Sequence, residues 1–353
     1  MAASCLVGIV CSLPDDILTE ILARLSMKSI LRAKSVCKHW HKLISGEYFS
    51  RRNVQVSARN SMAMIEVSGT SLRLLDSLGG VSRLSLDFLE TEVSEKGSGS
   101  TTVCNPITRQ HTKLPGIDVD ADLVGLAYDS SGRTLNAVLA GHANDGNDET
   151  EGTIVGWVFD SESNNWRKLI YQLDGLYEFS FISKNPAVFV NGAFHWITDG
   201  SPTILLVLDL SRDLWRKMTL PDKILQGPED RVFYLLEFEG CLSVIQLSDS
   251  WMVTWVLENY DEKVWYMLDP VSLSSKRLLT LGTSMLEMAP VSQTREDLIL
   301  GIGLWMFDYQ KNNEVWQLMY KMNKYGLTDP QCYSAFPFRA TMLPCCQVDD
   351  QLH

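Results

Sequence analysis

Six histidines, eight cysteines and 43 carboxylates give this 353-residue chain the raw material for metal binding or acid–base catalysis, yet their spacing serves neither. Cysteines 5, 11, 37, 104, 241, 332, 345 and 346 form no C-x-x-C pair, the spacing from which structural zinc sites are built. His39 and His41 flank Trp40 without a second ligand pair, so both read as solvated surface. His111, His142 and His195 stand far apart and His353 ends the chain; a copper oxidase would need clustered His and Tyr ligands. Gly301-Ile302-Gly303 opens like a dinucleotide fingerprint, but position 306 is Met where the third glycine belongs. The run Gly97-Ser98-Gly99-Ser100 lacks the lysine of a phosphate loop. DGNDE (145–149) imitates a calcium loop, but Thr150 and Gly156 occupy the positions that need Gly and a bidentate Glu. Asp160, Asp209 and Asp308 recur with a repeat and read as turn residues that cap local backbone groups. The expectation is a protein without catalytic residues, cofactor or metal.

Composition narrows the alternatives. Hydrophobic residues make up 45% and charged residues 21%, the balance of a globular protein long enough for two or three domains. The net charge of −12 has the wrong sign for coating phosphates, so nucleic acid is not an expected partner. No uncharged apolar run approaches the roughly 18 residues that span a bilayer, and the opening MAASCLVGIVCS lacks the basic start of a signal peptide. A soluble protein with reduced thiols, in the cytosol, the nucleus or both, is expected. The charge is uneven. Residues 13–52 hold eight basic and four acidic side chains, whereas 53–353 hold 23 and 39.

The basic head has helical periodicity. Ile17, Leu18, Ile21, Leu22 and Leu25 form a wide stripe after Ser12, Pro14 and Asp15. Val36, Cys37, Trp40, Leu43 and Ile44 repeat it on a second helix, with Ile30 and Leu31 on a short one between. Three short helices in about 40 residues cannot enclose so many large apolar groups. Part of that surface must meet another chain or the body of this one.

Leu13-Pro14, Ile21-Leu22-x-x-Leu25, Lys28-Ser29, Val36-Cys37-Lys38-x-Trp40, Leu43-Ile44 and Phe49 resemble the characteristic residues of the F-box family at that family's spacing. The resemblance implies a docking module for the S-phase-kinase-associated adaptor, and through it for a cullin-RING ubiquitin ligase core. It implies that Leu13, Pro14, Ile17, Leu18, Ile21, Leu22, Leu25, Leu31, Val36, Trp40 and Leu43 form the adaptor interface and the core of the module. For any one of them, plain core is an equal reading.

From about residue 60 the pattern becomes short strands separated by Gly, Asp, Asn and Ser turns. Five segments align on His111, Trp166, Trp215, Trp265 and Trp316, which are 55, 49, 50 and 51 residues apart. A period of about 50 with a tryptophan in the last strand predicts β-propeller blades in the kelch range, the anchors filling gaps between blades. Asn105-Pro106-x-Thr108-Arg109, Val190-Asn191-Gly192-Ala193-x-His195-Trp196 and Trp255-Val256-Leu257 resemble the F-box-associated domain of plant F-box proteins. The expected fold is multidomain α+β: a three-helix F-box over 12–52, a linker or first strand over 53–62, a kelch-like propeller of about six blades over 63–345 and a tail over 346–353.

On this reading the propeller presents a protein substrate whose identity the sequence does not give. Loops 142–152, 174–184 and 222–231 break the strand pattern and are the candidates for contacting it, with solvated connections as the plainer reading. A non-degradative F-box scaffold is the alternative, and an enzyme with its site in the propeller channel a remote one.

Overall fold

The computed structural model describes residues 13–57, 62–68, 71–76, 81–89, 101–117, 119, 121–129, 134–142, 153–173, 186–198, 203–227, 231–274, 288–302, 305–321, 335–338 and 342–343. Four helices come first: α1 (Asp15–Ala23), α2 (Met27–Ala33), α3 (Lys38–Ser45) and α4 (Glu47–Ser57). The fourth corrects the expected three. Residues 53–57, read as linker or first strand, are its last turns, because the Asn53 side chain is buried and donates to the Ala23 carbonyl at 3.0 Å.

The rest of the described chain is antiparallel sheet, in six sheets. Blade one holds β1 (Met62–Ser68), β2 (Ser71–Asp76) and β3 (Val81–Ser85), and blade two β4 (Thr102–Asn105) and β5 (Gln110–Lys113). Blade three is β6 (Leu123–Tyr128), β7 (Leu135–His142), β8 (Thr153–Asp160) and β9 (Asn165–Gln172). Blade four is β10 (Val188–Val190), β11 (Ala193–Ile197), β12 (Ile204–Asp209) and β13 (Leu214–Thr219), followed by the short α5 (Asp222–Leu225). Blade five is β14 (Val232–Phe238), β15 (Cys241–Leu247), β16 (Trp251–Asn259) and β17 (Val264–Met267), with β18 (Val271–Ser272) against β16. Blade six is β19 (Met288–Gln293), β20 (Asp297–Ile302), β21 (Trp305–Gln310) and β22 (Val315–Lys321). Strand β23 (Ala335–Phe338), from near the C-terminus, pairs with β1 through Met62 opposite Phe338 and completes blade one. First strands touch in succession, β6 to β10, β10 to β14, β14 to β19 and β19 to β23, so they ring one axis.

The repeat seen in sequence is a hairpin with a four-residue loop. Its first residue is Asn105, Asp160, Asp209, Asn259 or Gln310, and four residues later Arg109, Asn164, Asp213, Lys263 or Glu314 holds a positive φ of 51 to 61°. Asp160, Asp209 and Asn259 each accept the backbone N–H groups two and three residues ahead, which stabilises the turn. Asp308 does not belong to this series. Gln310 holds its phase, and Asp308 stands two residues earlier within β21, opposite Ile299, where burial raises its carboxyl pKa.

Each anchor leans on the blade before it. Trp215 lies among Leu123, Val138, Ile154 and Val158 of blade three, Trp265 among Val188, Leu205 and Val207 of blade four, and Trp316 among Leu236, Ile245 and Leu247 of blade five. Trp166 packs more loosely near Val103 and Leu114, its indole N–H reaching the Pro115 carbonyl at 2.8 Å. The anchoring is therefore interblade, as the spacing predicts. His111 is half-buried beside Phe88, with ring centroids 5.8 Å apart.

His195 is wholly buried and ties blade four to blade five. Its Nδ1 donates to the Val188 carbonyl at 3.2 Å, and its Nε2 accepts from the Tyr260 hydroxyl at 2.6 Å. That hydroxyl oxygen accepts from Arg216 at 2.6 Å. Burial, with the Arg216 charge adding to it, pushes the imidazole pKa from 6.5 down to about 4. Below pH 6.5 the unfolded chain takes up a proton that the folded chain refuses, so stability falls as pH drops toward 4. At about 1.4 kcal/mol per pKa unit this is about 3 kcal/mol across the window. His195→Gln is expected to flatten the slope of urea midpoint against pH between 4 and 6.5; an unchanged slope would assign the acid sensitivity to other groups.

Candidate docking surface

The four helices at the N-terminal end are held together by short-range caps and one charged cluster. Asp15 and Asp16 occupy the first turn of α1, where the helix dipole favours negative charge. Ser26 Oγ accepts the Ser29 N–H at the start of α2, and Cys37 Sγ accepts the Trp40 N–H at the start of α3. Cys37 is thus a cap and Val36 precedes the helix, whereas periodicity places both inside it. Glu20 on α1 is gripped by Arg52 of α4 and by Arg24 one turn on, at 2.8 and 2.6 Å for the longer Arg52 contact and Arg24. Those bonds, Arg52 first, hold its carboxyl down at about 2.

The stripe of α1 is split in two by the propeller. Leu18 and Leu22 point inward and join Ile30, Ile44 and Phe49 in a cluster completed by Leu74, Ile107 and Met342 of the propeller and its C-terminal segment. Two buried hydrogen bonds seal this seam. Ser50 Oγ donates to the Met342 carbonyl at 3.2 Å, and Asn105 Nδ2 donates to the Leu343 carbonyl at 2.9 Å. Leu18 and Leu22 therefore present no surface to a partner: a stripe covering two helical rows has one row left over once the other is covered. Trp40 and Leu43 are half-buried against the same cluster, and Leu13 is half-buried.

The leftover row faces solvent. Ile17 and Ile21 are each 48% exposed and Val36 59%, with Leu25, Leu31 and Pro14 also exposed. Tyr48, 65% exposed at the start of α4, was not singled out by sequence; it stands about 100° round the helix from the buried Phe49. Exposed apolar residues are common singly, but six large ones on a region of about 40 residues, with Ile17, Ile21 and Leu25 in one row of α1 beside the covered Leu18 and Leu22, exceed that background.

Of the loops proposed to contact substrate, 174–184 and 143–152 lie outside the described residues. Of loop 222–231, residues 222–227 are packed: α5 buries Ile224 in the blade four–five core, Lys223 Nζ sits over the Trp255 ring at 5.1 Å, and Gln246 donates to the Gln226 carbonyl, while 228–230 lie outside the described residues. The first half of the loop is thus part of the core. Among the described residues no three His, Cys, Asp or Glu side chains gather as a metal site, and no helix is long and apolar enough to cross a membrane.

Residues 10–52 match the F-box domain family, and residues 92–289 match the F-box associated beta propeller domain family. An Arabidopsis thaliana relative, F-box protein At5g49610, is 40% identical over 94% of this chain and 97% of its own length. The chain belongs to the F-box protein family. Two more distant Arabidopsis thaliana relatives also match. F-box protein CPR1 is 23% identical over 75% of this chain and 75% of its own length, and F-box/kelch-repeat protein At4g19930 is 25% identical over 86% and 75%. In this F-box protein the exposed row of α1 lies inside the matched F-box, and the blade three to five cores lie inside the matched propeller domain.

Proposed function

We propose that this F-box protein is the substrate-recognition subunit of an adaptor–cullin–RING ubiquitin ligase of the cytosol, the nucleus or both. The F-box docks the S-phase-kinase-associated adaptor through Pro14, Ile17, Ile21, Leu25, Leu31 and Val36, and the propeller holds the protein to be ubiquitinated. It acts by proximity and performs no chemistry of its own: holding substrate lysines near the charged enzyme raises their effective concentration. The observation that carries this reading is the apolar row left exposed on the side of the F-box that the propeller does not cover.

The test uses Leu13→Ala/Pro14→Ala. Both residues precede α1 at the rim of the exposed row, and interface anchors of this kind are commonly worth about 2 kcal/mol or more. Pull-down of the adaptor is expected to fall at least about tenfold while the propeller's melting transition stays in place, and the captured substrate's half-life should lengthen. Undiminished adaptor binding would sink the docking assignment. Lost binding with no protein stabilised would favour a non-degradative scaffold.

A further inference from the structure

The N-terminal helices hold a stretch of unopposed positive charge. Residues 21–46 carry six Lys or Arg and no Asp or Glu. The acids that flank it are engaged: Glu20 by Arg24 and Arg52, Glu47 by Arg51, and Asp15 by His39 at 3.0 Å. Lys28, Arg32, Lys34, Lys38 and Lys42 make no ion pair among the described residues. Two of the spacings are unfavourable in themselves. Lys28 and Arg32 stand four residues apart on α2, and Lys38 and Lys42 four apart on α3, the separation at which like charges on a helix repel. An anion placed among these side chains would relieve that repulsion.

Ser35 is the hydroxyl at the centre of the stretch. It is exposed in the turn 34–36 between α2 and α3. Its Oγ donates to the Arg32 carbonyl at 2.8 Å, which the Ser35 N–H also reaches at 3.1 Å. Arg32 precedes it by three residues and Lys34 by one, and Val36, 59% exposed, follows it. A protein kinase can discriminate its substrate by such a charge pattern, pairing its own carboxylates with cations at fixed offsets from the hydroxyl. A phosphate on Ser35 would bring about −1.5 to −2 charges at pH 7. The helix dipole opposes negative charge at this end of α2, but the nearby cations offset it, so the folded chain can carry the group. Docking is different. Leu31, four residues before Ser35, and Val36 both belong to the proposed adaptor surface, and closing that surface would strip water from the phosphate at a cost that apolar contact does not repay.

We infer that Ser35 is a phosphorylation site for a kinase that selects basic segments, and that its phosphate releases this protein from the adaptor. In the transfer, Ser35 Oγ bonds to the γ-phosphorus of a nucleoside triphosphate and loses its proton to the kinase. The bond from that phosphorus to the bridging oxygen breaks, and the nucleoside diphosphate leaves. The release rests on the proposed function, which makes the F-box the docking site; the modification itself does not. The test incubates the full chain with radiolabelled ATP and the catalytic subunit of the cyclic-AMP-dependent kinase, a kinase of this class, and maps the label by peptide mass spectrometry. Label is expected on Ser35 and absent from Ser35→Ala, and Arg32→Ala should slow it about tenfold, the worth of one charge-assisted contact. Full chain made with phosphoserine at position 35 should bind the adaptor at least about tenfold more weakly than the unmodified chain, with an unshifted melting transition. Full labelling of Ser35→Ala, adaptor affinity equal in the two forms, or a lowered melting transition that moves the effect onto folding would each overturn the inference. An unmodified chain that fails to bind the adaptor sinks the ligase reading instead, and the labelling of Ser35 still decides whether the site is modified.

Discussion

Ile17→Asp/Ile21→Asp is expected to abolish adaptor binding while leaving the protein folded. The two side chains lie one helical turn apart on the uncovered row of α1, each about half exposed. If each anchor contributes about 2 kcal/mol to docking, their joint loss amounts to several hundredfold, at about 1.4 kcal/mol per tenfold. A desolvated carboxylate on the partner surface adds to that loss. The cost to folding is modest because exposed helix positions tolerate polar residues, and the carboxylate that replaces the Ile17 side chain would sit near the dipole-favoured start of the helix. The neighbouring pair gives the contrast: Leu18→Asp/Leu22→Asp places two charges in the sealed cluster with Phe49, Ile107 and Met342 and is expected to unfold the F-box. Calorimetry of both variants beside adaptor titration separates the rows. Full adaptor affinity in the Ile17/Ile21 variant would move the docking surface off α1.

That contrast also marks how far the sequence could be read. Helical spacing identified every apolar member of the α1 stripe, and the F-box pattern fixed the module, but periodicity treats Ile17 and Leu18 alike. Which row faces inward depends on Leu74, Ile107 and Met342, contributed by segments distant in sequence, and no local pattern reports such a contact. The propeller was legible for the opposite reason. A 50-residue period records a local hairpin whose turn, positive-φ residue and anchor all lie within seven residues, so each copy carries its own signal. Asp308 shows where that signal misleads: an aspartate near the turn resembled Asp160 and Asp209, but the true turn position is Gln310, set by its distance from Trp316. Ring closure by β23 was invisible, since its partner β1 lies at the other end of the propeller. Helix α4 was missed because Glu47–Ser57 carries only a weak apolar pattern and is held by polar contacts from Ser50, Arg52 and Asn53.

Trp215→Ala is expected to lower stability by about 3 to 5 kcal/mol, the range for emptying a buried aromatic site. Trp215 is 3% exposed on the outer strand of blade four, yet its ring lies over β8 of blade three, stacked on Trp196 with centroids 5.6 Å apart. Gly156 makes room for it. A Cβ built there would come within 2.7 Å of Trp215 Cζ2, so the glycine is required by closeness of approach rather than by backbone angle. The site is thus a lock of two parts, and the seam can be broken from either side: Gly156→Val would drive a branched side chain into the indole and is expected to destabilise as well. The indole N–H is buried without a hydrogen-bond partner among the described residues, so its loss removes no bond. Trp215→Phe should therefore cost only a fraction of the alanine change, through lost contact area alone. Combining Gly156→Val with Trp215→Ala gives the sharpest result. The valine can occupy part of the space the indole leaves, and the double variant should be more stable than the sum of the two single losses allows. Urea denaturation of the four variants measures this directly. Additive losses, or a Trp215→Ala midpoint equal to that of the parent protein, would show that blade three and blade four are not held together by this anchor.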